Sequence, residues 1–425
     1  MSTATGTGPG PTRNTLALAA LGLGAFVIGT AELVVVGVLS LIAGDLDISV
    51  STAGLLVTAY ALGVSLGGPV VSAATIRLPR RTLLWVALAV FVAGNLIAVF
   101  SAAFGLLVAA RVLCGAIHGL YLGAASTVAT GLVAPEHRGR AVGLVFGGIS
   151  VSTVIGVPLG TLIGQGLGWQ ATFGSVVVLG ALALVATLLC VPKVEHRTGE
   201  SLGAQARHAF HPRVLAMLAA TVLLMGSQFI AFTYLTPFLE DVTGISGGAV
   251  GAFLLIFGVF SAIGTFAGGR FADINASATL LVGNVVVIVA MAALWAFGSN
   301  AWLVGLALAG WGIVGFGVTP SFQLRVISLA GEGADLAATL GASAANVGVA
   351  AGAAVGGWAL AAFGTGEVPV VALVAAVVAL PVVWATRFLK VPQAPAPGPS
   401  AGSGPGPSAG SGQDGTVTVP VATAG

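Results

Sequence analysis

The sequence predicts an all-α membrane protein of about twelve transmembrane helices with both termini in the cytoplasm. Three observations carry that expectation: an apolar composition, twelve runs long enough to cross a bilayer, and basic residues confined to alternate loops. Of 425 residues, 57% are hydrophobic and 7% are charged, against about 25% charged in an average soluble domain. Lipid tolerates such a chain because its exposed face can be apolar. The 64 glycines fit the same class, since Gly lets membrane helices approach closely. A net charge of +2 without a basic tract gives no footprint for nucleic acid. Cys114 and Cys190 sit in separate apolar runs and are expected to be free thiols.

A span needs roughly 20 mostly apolar residues. Residues 1–15, rich in Gly, Thr and Pro, read as a cytoplasmic tail without a cleavable signal peptide. The N-terminal six-helix set, 16–192, has spans near 16–43, 52–76, 82–100, 104–130, 141–166 and 171–192. The only long internal polar stretch, 193–212, reads as a central cytoplasmic loop. The C-terminal set, 213–390, has spans near 213–239, 247–271, 277–297, 301–328, 337–363 and 368–390. The remainder, 391–425, is Pro, Gly, Ala and Ser with one acid, Asp414, and reads as a disordered cytoplasmic tail.

Arg and Lys collect in cytoplasmic loops. With both termini inside, inner loops and inner span ends take 14 of the 15 basic residues, from Arg13 to Lys390. The outer loops carry Asp45, Asp47, Glu240, Asp241 and Glu367 and no basic residue. A wrong span count would scramble this segregation, so the expected location is the inner, plasma membrane.

The fifteenth basic residue, Arg111, lies about two turns inside the fourth span. A charge there costs several kcal/mol unless it finds a partner or water. Glu32, near the middle of span 1, is the only acid at comparable depth. The expectation is that the two interact across helices 1 and 4. The pair is then either a static link or a site where Glu32 gains and loses a proton under the influence of Arg111. His118 follows Arg111 by two helical turns, at the depth of Glu32, as a packing residue, a proton relay or a substrate contact. Glycines at every fourth position, Gly115/Gly119/Gly123, Gly156/Gly160/Gly164 and Gly348/Gly352/Gly356, suit close and sliding helix contacts.

Four patterns in order resemble the major facilitator superfamily, in its twelve-span drug:proton antiporter branch. Span 1 has Gly29-Thr30-Ala31-Glu32 and Gly37-Val38-Leu39. Span 2 and its loop have Gly67-Gly68-Pro69 and Arg77-Leu78-Pro79-Arg80-Arg81, similar to the basic gate-latch signature but with Ile76 in place of its Asp. Gly268-Gly269-Arg270-Phe271-Ala272-Asp273 matches that signature more closely in the second half. Arg111 to Gly119 resembles the Arg motif tied to proton coupling, and its His118-Gly119 pair resembles the arabinose, nucleoside and chloramphenicol efflux subgroup. Gly156-Val157-Pro158-Leu159-Gly160 is similar to the antiporter motif. Gly168-Trp169-Gln170 has Gln170 where the family has Arg, which puts a family contact in doubt.

The resemblance implies two six-helix bundles around a central cavity and transport by alternating access. It implies export by exchange with protons: Glu32, Arg111 and His118 would couple the proton, and no cofactor would be needed. Glu32, His118, Tyr121, Gln228, Phe232, Tyr234, Phe257, Trp311, Phe316 and Asn346 are the substrate-binding candidates on the helices expected to line the cavity. Gly67, Arg77, Arg80, Arg81, Arg270 and Asp273 would form the gate, and Gly156, Pro158 and Gly160 the antiporter motif. An apolar pocket with few polar groups suits an amphiphilic small molecule such as a chloramphenicol-like antibiotic; a sugar or nucleoside exporter is the alternative, and a non-transporting receptor or scaffold a remote one. An enzyme is not expected, because the spans offer one central His and one central acid rather than a catalytic or metal-binding cluster. A monomer suffices for this mechanism.

Overall fold

Backbone polar groups cannot go unpaired in lipid, so each apolar run closes its own hydrogen bonds as a helix. The structure is a computed structural model that describes residues 11–75, 78–101, 103–134, 137–192 and 202–392. Arg77, Ile76, Pro135, Glu136 and most of both expected tails lie outside these residues. The membrane-crossing segments are α1 (Asn14–Asp45), α2 (Val50–Val71), α3 (Arg80–Phe100), α4 (Phe104–Gly131), α5 (Arg140–Leu167), α6 (Trp169–Cys190) and α7 (Pro212–Asp241). They continue with α8 (248–274), α9 (276–297), α10 (Ala301–Gly333), α11 (Leu336–Phe363) and α12 (Thr365–Phe388). In the expected central loop, Leu202–Ala209 forms a short helix.

Helices α8 and α9 run without a loop from Gly248 to Phe297. A straight helix of that length would measure about 75 Å, over twice the hydrocarbon core of about 30 Å. Asn275 breaks it with an extended backbone (φ −161°, ψ 88°), and its side-chain oxygen accepts from the Ala278 N–H at 3.0 Å. Gly264 and Gly283 both face α10, at Ile313 and Val318. In one rod these glycines would lie about 28 Å apart, whereas their partners are about 7 Å apart along α10. The chain therefore turns back at Asn275, and the described residues form twelve spans.

The glycine stripes set which helices touch, and they do so twice. In the first half Gly156, Gly160 and Gly164 of α5 face Thr30, Val34 and Val38 of α1. In the second half Gly348, Gly352 and Gly356 of α11 face Val222, Gly226 and Ile230 of α7. Each partner recurs 192 residues later, as from Gly156 to Gly348 and from Thr30 to Val222. Likewise Gly67 faces Ala116 and Gly115 faces Tyr60 between α2 and α4, while Gly264 faces Ile313 and Gly312 faces Phe257 between α8 and α10, 197 residues on. The halves are thus a structural repeat. They meet where Gly258 of α8 abuts Thr153 of α5, and where the Thr58 hydroxyl of α2 donates to the Ala350 carbonyl of α11 at 3.4 Å.

One apolar core joins both halves at the end away from the termini, from Leu39 and Val57 to Leu239 and Ala353. At the terminus-bearing end each half has a separate core, one around Leu21, Leu84 and Val128, the other around Met217, Phe322 and Val383. The gap between the halves therefore opens on the terminus side.

Candidate functional site

Two clusters sit where the halves approach each other. The first is built by α1, α2 and α4. Antiporter-motif residues Gly156 and Gly160 draw α5 onto α1 at Thr30 and Val34, one half-turn either side of Glu32. A π turn at Ser152–Gly156 precedes the buried Pro158, which has no N–H to continue a regular ladder. A second π turn, Gly63–Gly67, lies in α2 just beyond Tyr60, where Gly67 lies so close to α4 that an added Cβ would stand 2.6 Å from that of Ala116.

Within this frame Arg111 is buried at 2% exposure. Glu32 and Arg111 do interact across α1 and α4, but at longer range than an ion pair, since no close salt bridge joins the guanidinium to the Glu32 carboxylate. Arg111 Nη1 instead donates to the Ala31 carbonyl at 2.8 Å and Nη2 to the Glu32 main-chain carbonyl at 3.2 Å. Its Nε points to the Leu56 carbonyl at 3.5 Å, and the guanidinium lies 4.1 Å from the centre of the Tyr60 ring. The reason is geometric. Arg111 meets α1 from the side at which the backbone comes close, while the Glu32 side chain leaves α1 toward the next turns of α4. There its Oε2 lies 3.7 Å from His118 Nδ1. The same nitrogen is 3.2 Å from the Tyr60 hydroxyl. Glu32 is the member of this cluster that reaches the gap, with its side chain 20% exposed against 6% for His118. Tyr60 was not among the candidates, although a lone phenol in the apolar stretch Ala59-Tyr60-Ala61 was a usable signal.

The second cluster lies in the other half. Phe232, Phe257 and Trp311 are mutually in contact, with ring centres 4.8 to 6.0 Å apart. Phe229 and Phe316 extend the group at 5.3 and 6.4 Å. Phe316 comes from the break in α10 between Gly315 and Thr319. Trp311 Nε1 donates to Gln228 Oε1 at 3.1 Å. A void of about 10 Å³ between Leu33, Thr153, Val157, Phe232, Leu254, Phe257 and Phe316 joins the two halves. Leu33 adjoins Glu32 in sequence, so the clusters are neighbours. By the repeat, Glu32 corresponds to Leu224, Arg111 to Leu308 and His118 to Gly315, and the charged chemistry belongs to one half alone.

The remaining candidates stand apart. The Tyr121 hydroxyl donates to the Leu21 carbonyl and the Tyr234 hydroxyl to the Ala353 carbonyl, both at 3.1 Å, so each fastens two helices. Asn346 donates to Ala342 of its own helix at 3.1 Å, and its side-chain oxygen has no partner. Among the gate residues, Arg81 donates to the Leu188 carbonyl at 2.7 Å, and Arg80 is half-buried in the first turn of α3. Arg270 and Asp273 are exposed, and no ion pair joins either to another described residue. Arg77 lies outside the described residues. Gln170, which stands where the family has Arg, and Trp169 both donate to Asp45 Oδ2 at 2.8 Å, through Nε2 and Nε1 respectively. A groove of about 380 Å³ between α8, α9 and α10 includes none of the charged or aromatic cluster residues.

Residues 21–342 match the family model described as Major Facilitator Superfamily. The chain belongs to that superfamily. An uncharacterized MFS-type transporter, YtbD of Bacillus subtilis, is 37% identical over 350 residues, 81% of this chain and 88% of the relative. A probable sugar efflux transporter of Mannheimia succiniciproducens is 28% identical over 372 residues, 87% of this chain and 93% of the relative. Among solved structures, a bacterial homologue of the human lysosomal transporter Spinster, in an inward-facing and unoccupied conformation, superposes with a TM-score of 0.76 at 17% identity, covering 89% of this chain and 97% of that one. This major facilitator chain is thus a multi-pass membrane transporter acting on small molecules. Its gap opens on the side that bears the termini.

Proposed function

We propose that this transporter exports small amphiphilic molecules in exchange for protons, with Glu32 as the proton-carrying group and the aromatic cluster as the main substrate surface. The observation that carries the reading is Glu32: a partly exposed carboxylate facing His118 at 3.7 Å deep in the bundle, beside a void lined from both halves. An ionisable group at that depth is costly and is kept where it serves a pathway. With the termini in the cytoplasm, the gap takes substrate from the inside while Glu32 is ionised. After the halves reverse, a proton from outside neutralises Glu32 and the substrate leaves. The loaded carrier returns and releases the proton inward. One charge moved through 100 mV supplies about 2.3 kcal/mol, enough for a gradient of roughly forty-fold at about 1.4 kcal/mol per decade.

Five aromatic rings with one buried amide favour an amphiphile of drug size, such as a chloramphenicol-like antibiotic. A sugar or nucleoside cargo is the second reading, favoured by the sugar efflux relative and by the unpaired oxygen of Asn346. The test is accumulation of chloramphenicol, dye cations, arabinose and uridine in cells lacking their own efflux pumps. The expected result is lowered accumulation of one class, lost with Glu32→Gln and lost with an uncoupler. Glu32→Gln cells that still hold the compound below its external level would refute proton exchange at this residue.

A further inference from the structure

Tyr60 belongs to α2, which contributes no other side chain that bonds within the charged cluster, and its hydroxyl sits on the one imidazole nitrogen that faces Glu32. Tyr60 is 1% exposed and His118 5%. A buried phenol hydrogen needs an acceptor, and the acceptor in reach is His118 Nδ1, at 3.2 Å. Tyr60 therefore donates and Nδ1 accepts. A neutral imidazole that accepts at Nδ1 carries its hydrogen on Nε2. In that tautomer Nδ1, the nitrogen that faces Glu32, has no hydrogen to offer it, which fits a Glu32 oxygen standing off at 3.7 Å, beyond hydrogen-bond reach. The phenol ring is held in turn by the Arg111 guanidinium stacked on its face at 4.1 Å.

We propose that Tyr60 is a positioning residue of the proton site: by occupying His118 Nδ1 it withholds a hydrogen bond from Glu32, and so sets the pH at which Glu32 takes up its proton. The idea rests on Glu32 being the proton carrier. The groups facing this site are Glu32 from α1 and Arg111 and Cys114 from α4; α11, packed on the other side of α2, has no titratable side chain between Leu336 and Phe363. Without the phenol hydrogen, the imidazole can change tautomer, place its hydrogen on Nδ1 and donate it to the Glu32 carboxylate. A hydrogen bond to a charged acceptor favours the ionised form by the equivalent of about one pH unit or more.

The variant that isolates the hydroxyl is Tyr60→Phe, which keeps the ring under Arg111. In purified full-length protein, the infrared band of the protonated Glu32 carboxyl is identified by its loss in Glu32→Gln and followed against pH. The expected result is a midpoint displaced to acid by about one pH unit in Tyr60→Phe, with an unchanged melting temperature, and no displacement by the same change in a His118→Ala background. Coincident titrations of wild type and Tyr60→Phe would overturn the proposal while leaving Glu32 as proton carrier. An equal displacement with and without His118 would overturn it too, because Tyr60 would then act on Glu32 by another route. A Glu32 band that never titrates would remove both this proposal and the proton-exchange reading beneath it.

Discussion

Arg111 makes two firm hydrogen bonds to α1, to the carbonyls of Ala31 and Glu32, and a longer one to Leu56. A hydrogen bond from a charged donor contributes about 1.5–3 kcal/mol, so the firm pair is worth about 3–6 kcal/mol in gross terms. Against that stands the cost of burying the guanidinium, also several kcal/mol. Arg111→Leu removes both sides of the balance. The repeat shows that the fold accepts it, since the equivalent Leu308 is fully buried at the matching place in α10. The expected net change is within about 2 kcal/mol. Arg111→Lys keeps a charge in the same place but offers a point donor on a shorter stem. It cannot hold both α1 carbonyls and cover the Tyr60 ring, so it forfeits about 1.5–3 kcal/mol of bonding with no relief of desolvation. The conservative change is therefore predicted to be the more damaging one to stability, although both should uncouple transport by unlinking α1 from α4 beside Glu32. Thermal unfolding in detergent, followed by tryptophan fluorescence, ranks the three proteins. If Arg111→Lys melts with wild type and Arg111→Leu melts lowest, the carbonyl-bonding account of Arg111 is wrong.

Two further outcomes follow from the packing. Gly348→Ala would set its Cβ 2.5 Å from the Val222 carbonyl oxygen and 3.0 Å from the Gly226 nitrogen, both main-chain atoms; prising α7 from α11 should cost about 1–3 kcal/mol. Gly310→Ala, with nothing within 4 Å, should be neutral or stabilise by up to about 1 kcal/mol, and equal melting temperatures for the two variants would contradict the stripe as a contact. Trp311→Phe strips the donor from the buried Gln228 oxygen and should destabilise by about 1–3 kcal/mol. Adding Gln228→Leu should recover part of that loss; a strictly additive double variant would mean that the bond does not matter.

The difference between the expected and observed partners of Arg111 shows how far a sequence reaches. Lipid makes each polar residue conspicuous, so Glu32, Arg111 and His118 stood out against apolar spans, and so did the twelve spans themselves. Spacing of seven residues correctly put His118 two turns from Arg111. The aromatic candidates Phe232, Phe257, Trp311 and Phe316 do gather with Gln228, because their helices all face the join between the halves. Tyr121 and Tyr234 carried the same sequence signal, but their helices turn them toward neighbouring backbones instead.

What the sequence determined by itself is whatever depends on the solvent and on period: that the chain lives in lipid, how often it crosses, and which side chains are too costly to be there by accident. The glycine stripes were legible too, but not their partners. Pairing is decided by how each helix is rotated, about 100° per residue, and by how closely two backbones approach. That is why only the tertiary structure could give the Glu32 carboxylate to His118, the Glu32 carbonyl to Arg111, and the His118 nitrogen to Tyr60 from a third helix. The break near Asn275 was legible, because the expected spans 247–271 and 277–297 leave it between them; that it needs no loop, the two parts folding back onto α10 from a continuous run of 50 residues, was not.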